Sequence, residues 1–151
     1  MRVCIFAILF IFSLSLSALE QKGFKPSESV VFKKTSKEPL KLHFFLPEGH
    51  KKNDGQKRPA IVFFFGGGWS GGSPSQFYPF CQHLARQGMV AVSAQYRTKK
   101  SHGVDPMECV KDGKSAIRWV RAHAKEYGID PNRIAAGGGS ARARRSARLS
   151  C

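Results

Sequence analysis

Ile134-Ala135-Ala136-Gly137-Gly138-Gly139-Ser140 closes one apolar run on a glycine turn, and Phe63-Phe64-Phe65-Gly66-Gly67-Gly68-Trp69 closes another earlier in the chain. Ala60 to Phe65 is continuously apolar, as a strand covered on both faces is, and Arg133 to Ala136 is a shorter strand ahead of the second turn. Between the two, Phe77, Phe80, Cys81 and Leu84 recur at helical spacing until Gln87-Gly88, and Met89 to Ala94 is another buried strand. Pro106 then opens a longer helix whose stripe of Val110, Ile117, Val120, Ala124 and Tyr127 faces inward, ending at Gly128 before an Asp130-Pro131-Asn132 turn. Strand, helix, strand, helix, strand is the alternation of a parallel α/β sheet. Upstream, Glu28 to Phe32 and the partly alternating Leu40 to Leu46, stopped by Pro47, predict an antiparallel pair at the sheet edge, with a loop over Glu48 to Pro59.

The chain has 151 residues and 42% hydrophobic content, enough for one domain with a packed core. Met1-Arg2, the apolar stretch Val3 to Leu16 and the small residues Ser15, Ser17 and Ala18 read as a secretory signal over residues 1–18. The stretch is shorter than the roughly 20 residues of a spanning helix, so removal and export, secreted or periplasmic, are expected, with no stable membrane span afterwards. Cys4 leaves with the signal, and Cys81, Cys109 and Cys151 have no framework spacing; Cys81 and Cys109 read as buried thiols. The net charge of +15 is spread over the chain, with Arg142, Arg144, Arg145 and Arg148 forming a cluster near its end. Few aromatics lie among these charges, so no stacking platform for nucleic acid appears and a solvated surface is expected. A weaker alternative makes the Arg142 to Arg148 run an anionic-surface binder, recognisable by steep salt dependence.

The chemistry lies in the two turns. Hydrolysing an ester through serine requires an exposed hydroxyl, a base, and donors aimed at the oxygen that becomes negative. Gly138-Gly139-Ser140-Ala141-Arg142 fits a Gly-x-Ser-x-Gly elbow in four of five positions, Arg142 being the exception. Gly66-Gly67-Gly68 brings unobstructed backbone amides towards a substrate oxygen. Gly66, Gly68 and Gly71 also match a dinucleotide fingerprint literally, but Gln56 to Val104 holds no Asp or Glu to take a ribose, and no lysine follows Gly72-Ser73 as a phosphate loop requires. Cofactor and metal are therefore both expected to be none.

The order FFFGGGW, then SAQYR, then DGKSAIRWVRAHAKEYGIDPNRIAAGGGSA resembles the esterase/lipase branch of the α/β-hydrolases, the group of hormone-sensitive-lipase-like carboxylesterases and feruloyl or acetylxylan esterases. The resemblance spans about Ser29 to Ala141. It implies Ser140 as nucleophile, Gly67, Gly68 and Ala141 as oxyanion donors, and a small-molecule or polysaccharide-linked ester as substrate. Phe65 stands where many relatives carry His. In that family the acid and then the base follow the serine, so none of the five histidines, all of which precede Ser140, takes the role; each is expected at the surface. Asp112 is open between a brace behind the site and a helix-surface carboxylate.

The resemblance thus implies the N-terminal half of a hydrolase sheet: a partial domain over residues 19–141, an Arg-rich, disordered tail over 142–151, and a C-terminal half that is missing; a reading-frame change or sequence error just after Ser140 is the expected cause. The function expected by lineage is a secreted serine carboxylic-ester hydrolase, the alternative a catalytically inactive truncated fragment without acid and base. Acyl and alcohol specificity and oligomeric state stay open. An uncovered strand ending at Gly137 should favour association, so the isolated chain is expected to be poorly soluble; a monomer in sedimentation velocity with a sharp two-state urea transition would contradict this.

Overall fold

Alternation decides the first pairing. In the computed structural model, which describes residues 23–139, β1 (Glu28–Lys33) lies antiparallel to β2 (Leu40–Phe45), where Leu40, Leu42 and Phe44 are buried and Lys41 is exposed. The expected signal segment 1–18, Ser140, Ala141 and the tail 142–151 fall outside the described residues. β3 (Arg58–Phe64) and β4 (Val90–Ala94) run parallel, and β4, buried at all five positions, also takes β2 on its other side in antiparallel register. β5 (Ile129–Gly138) runs parallel to β3, completing the sheet order β1-β2-β4-β3-β5. The antiparallel pair, the parallel strands and the crossover helices therefore stand where the sequence puts them.

Two helices close the faces. α1 (Tyr78–Arg86) follows a 3₁₀ turn over Pro74–Phe77 that Ser73 caps, and carries the chain from β3 to β4. A short α2 (Lys99–His102), with a Thr98–Ser101 capping box, precedes α3 (Pro106–Ala122). α3 starts with Pro106 in its first turn and Asp105 as cap, the carboxylate accepting from the Met107 and Glu108 amides at 2.9 and 3.3 Å. One core joins Leu42, Phe44, Val62, Val92, Ala116 and Val120 beneath α3; the other joins Phe45, Phe65, Phe77, Cys81, Ala85 and Ala91 beneath α1.

Two readings of helix faces are corrected. Phe80 is 60% exposed, because the 3₁₀ turn through Phe77 has fewer residues per turn than an α-helix and shifts the helical phase behind it. Val110 is 38% exposed and lines a cavity instead of the core. α3 ends at Ala122, not at Gly128; Ala124 and Tyr127 are nonetheless buried, packed from the turns that follow. The Asp130-Pro131-Asn132 turn is present, with the Asn132 amide donating to the Asp130 carboxylate at 2.9 Å, but it sits inside β5, whose pairing jumps from Arg58–Ile129 to Ala60–Ile134.

His43 is half-buried, not at the surface. It lies against Tyr78 at 5.7 Å and shares a 2.8 Å hydrogen bond with the Ser29 hydroxyl; burial first, then the neighbouring Lys41 charge, lowers its pKa. Cys81 and Cys109 are buried free thiols, and burial pushes the Cys81 thiol up to about 12. Among the described residues, no helix is long and apolar enough to cross a membrane.

Phe44 is fully buried and stacks on Tyr127 with ring centroids 4.3 Å apart, joining the sheet to the turns after α3. Phe44→Ala should cost about 3 to 5 kcal/mol, read as a lower urea midpoint with unchanged slope.

Candidate active site

From β3 the chain crosses through α1 to β4 on one side, then through α3 to β5 on the other, so the two helices cover opposite faces and leave a crevice at the carboxyl end of β3. Both glycine turns open there. The first leaves β3 through Phe65; the second leaves β5 through Gly137, Gly138 and Gly139. A cavity of about 1320 Å³ is lined by both, with Gly67, Gly68, Trp69 and Tyr96 from the first turn and its surroundings and Gly138 and Gly139 from the second. Gly113 and Ile117 of α3 contribute a further side.

Local constraints explain the glycines. Gly67 has φ 151°, and a β-carbon there would stand 2.1 Å from the Gly71 carbonyl oxygen. On Gly138 a β-carbon would lie 2.9 Å from the carbonyl oxygen of Phe64, because β5 packs tightly beside β3 at this point. The loop between is tied down at each end. The Gly66 amide donates to the Gln76 side chain at 2.7 Å, the Tyr96 hydroxyl donates to the Phe65 carbonyl at 2.6 Å, and the Ser70 amide closes a turn onto the Gly67 carbonyl at 3.1 Å. The Lys99 and Lys100 amides receive the loop's far end, on the Trp69 and Ser70 carbonyls at 3.0 and 2.9 Å. Trp69 is held with φ 67°, an unusual conformation for a residue with a side chain. The amides of Gly67 and Gly68 enter none of the hydrogen bonds among the described residues, and both glycines are exposed to the cavity.

Gly67 and Gly68 thus line the cavity, and Gly139, the neighbour of Ser140, lines it too. Ser140 and Ala141 themselves are outside the described residues. Sequence reasoning assigned no role to Tyr96 or Gln76. Tyr96 stands two residues beyond a buried strand and could have been suspected from that position; nothing in the sequence marks Gln76 as the Gly66 anchor.

Behind the loop, Asp112 is fully buried, which excludes the helix-surface reading. Its carboxylate accepts from the Arg97 backbone amide at 3.1 Å, from Arg97 Nε and Nη2 at 2.7 and 2.8 Å, and from Lys33 Nζ at 2.6 Å. Burial works to raise its pKa, but the hydrogen bonds from Arg97 and Lys33 prevail and hold it below the usual carboxylate range. Arg97 also reaches Glu108 at 2.7 Å. Around the cavity the charged lining is Lys114, Arg118 and Arg121, with no carboxylate and no histidine among the described residues. No group of three or more metal-ligating side chains is gathered among the described residues.

A crevice at a topological switch point, lined by a triple-glycine loop and by the turn leaving the next parallel strand, is the arrangement of an α/β-hydrolase sheet. A family model described as BD-FAE matches residues 42–148, and the chain belongs to that α/β-hydrolase esterase family. It is similar to carboxylesterase NlhH of Mycobacterium tuberculosis, 38% identical over 88 residues that make up 55% of this chain and 26% of that protein. It is also similar to the fumonisin B1 esterase of Sphingopyxis macrogoltabida, 33% identical in an alignment of 120 residues that covers 71% of this chain and 22% of the other. The propionate-bound esterase Est2 of Thermogutta terrifontis superposes with a TM-score of 0.73 at 50% identity, over 80% of this chain and 43% of that one. The chain therefore spans less than half the length of these relatives.

Asp112 is paired in the folded state with a pKa below the 3.8 of a free carboxyl, so its contribution is present above that value and is lost as pH falls through the folded pKa. Asp112→Asn should cost about 3 kcal/mol at pH 7, with the gap to the parent closing below pH 3.8; urea melts of both proteins across that range check the sign.

Proposed function

We propose that the protein is a secreted serine hydrolase of carboxylic esters, with Ser140 as nucleophile and the amides of Gly67, Gly68 and Ala141 receiving the oxyanion. The observation that carries this reading is that two glycines whose amides have no partner among the described residues line the same cavity as Gly139, one residue before the serine. In this reaction the Ser140 oxygen attacks the acyl carbon as its hydroxyl proton departs, the carbonyl oxygen gains the electron pair and accepts hydrogen bonds from the amides, and on collapse the ester C–O bond breaks and the alkoxide leaves with that proton. Water then releases the acid from the acyl-serine. Each oxyanion donor is worth roughly 10² to 10³ in rate.

Est2 of Thermogutta terrifontis is seen with propionate and with butyrate, which supports a short acyl group for this chain as well. The largely apolar lining of Phe64, Trp69, Val110 and Ile117 suits such an acyl group. Export rests on the signal-like residues 1–18 and is tested by the N-terminal sequence of protein recovered outside the cell.

One observation favours a second reading, a catalytically inactive form: among the described residues no histidine lines the cavity. In that form the described residues would line the cavity without a base.

Hydrolysis of p-nitrophenyl propionate and butyrate distinguishes the two. For an active enzyme, Ser140→Ala should lower kcat by at least about 10³-fold, while KM changes little. Equal turnover by parent and variant would remove Ser140 from the mechanism, and propionate binding without any turnover would favour the second reading.

A further inference from the structure

The amides of Gly67 and Gly68 are useful as oxyanion donors only if they are aimed before the reaction begins, yet they belong to a run of three glycines, the residues with the most backbone freedom to lose. Something outside the run must fix it. The peptide unit that joins Phe65 to Gly66 is planar, so holding both of its polar groups fixes its orientation. Its carbonyl oxygen takes the Tyr96 hydroxyl at 2.6 Å, and its N–H donates to the Gln76 side chain at 2.7 Å. The next amide along the chain is that of Gly67.

Tyr96 does more than donate one hydrogen bond. Its ring stacks on Phe65 with centroids 4.1 Å apart and planes 15° from parallel, and it meets the edge of Trp69 at 6.4 Å. It thereby touches both ends of the glycine run. Only 7% of Tyr96 is exposed. Burial, followed by the nearby Cys109, pushes its phenol up to about 12, so the hydroxyl remains a donor throughout the neutral range. Behind it, Arg97 is locked through its own backbone amide and its guanidinium to the buried Asp112 of α3, which also takes Lys33 from β1. The segment bearing Tyr96 is thus fastened to a helix and to the opposite edge of the sheet.

We propose that Tyr96 is a positioning residue that aims the Gly67 and Gly68 amides by holding the Phe65–Gly66 peptide, with Asp112 and Arg97 as its anchor. The inference rests on the oxyanion reading of Gly67 and Gly68 and adds how their direction is set. Phe65 supplies the ring against which Tyr96 stacks, so a residue without a polar side chain at this position is compatible with a braced loop.

The test uses Tyr96→Phe, which deletes the hydroxyl and keeps the ring, and Gln76→Ala, which frees the other end of the same peptide unit. Amide hydrogen exchange is followed at Ser70, Lys99 and Lys100, whose N–H groups bind the loop carbonyls, and at Val92 in the central strand as a reference. Tyr96→Phe should speed exchange at the three loop reporters roughly two- to tenfold, the factor that one ordinary hydrogen bond represents, and leave Val92 unchanged. Gln76→Ala should produce the same local pattern. Unchanged loop exchange in Tyr96→Phe, or equal acceleration at Val92, would overturn the proposal. With p-nitrophenyl propionate, Tyr96→Phe should lower kcat and spare KM; an unchanged kcat would overturn the positioning role. Because exchange is measured without substrate, local loosening together with no Ser140-dependent turnover would uphold the brace and reject the esterase reading instead.

Discussion

β3 is the strand on which the molecule turns. It lies between β4 and β5, and because the connections to these neighbours depart in opposite directions, it has a helix above one face and another below the other. Both faces of Ala60 and Val62 are consequently filled, and a cavity opens at the carboxyl end of the strand. A loop leaving β3 and a loop leaving β5 must meet there, since the strands are parallel and in register from Ala60–Ile134 to Phe64–Gly138. The meeting of the glycine turns is a result of strand order more than of any attraction between the turns themselves.

Much of this architecture can be read from residue patterns because it follows from burial with a regular period. The apolar run Ala60 to Phe65 and the alternation through Leu40, Leu42 and Phe44 each specify an element and its covered face. The pattern fails where the period changes. Counting helical steps from Phe77 places Phe80 inside, whereas Phe77 closes a 3₁₀ turn out of phase with the helix that starts at Tyr78, and Phe80 is left outside. Val110 fits the inward stripe of α3, but it sits where the helix borders the cavity and no core residue covers it.

The chemistry was legible to a similar depth. Glycines announce close backbone approach, and both turns are found where such approach occurs, at Gly67 beside the Gly71 carbonyl and at Gly138 beside β3. The supports of the first turn were not legible. A lone Asp112 on a helix carries no local sign of burial, because its partners Arg97 and Lys33 lie 15 and 79 residues away in sequence. Tyr96 likewise acts across 31 residues on a carbonyl that any residue at position 65 would present. Such contacts depend on tertiary arrangement and leave no periodic trace.

The chain's two tryptophans occupy dissimilar surroundings. Trp119 is pressed against His123, with centroids 3.7 Å apart, on the far side of α3's core, whereas Trp69 projects 44% exposed from the glycine loop into the cavity. A molecule entering the cavity touches one indole and leaves the other undisturbed. The fold therefore contains its own optical probe of occupancy, together with an internal standard set apart from the cavity.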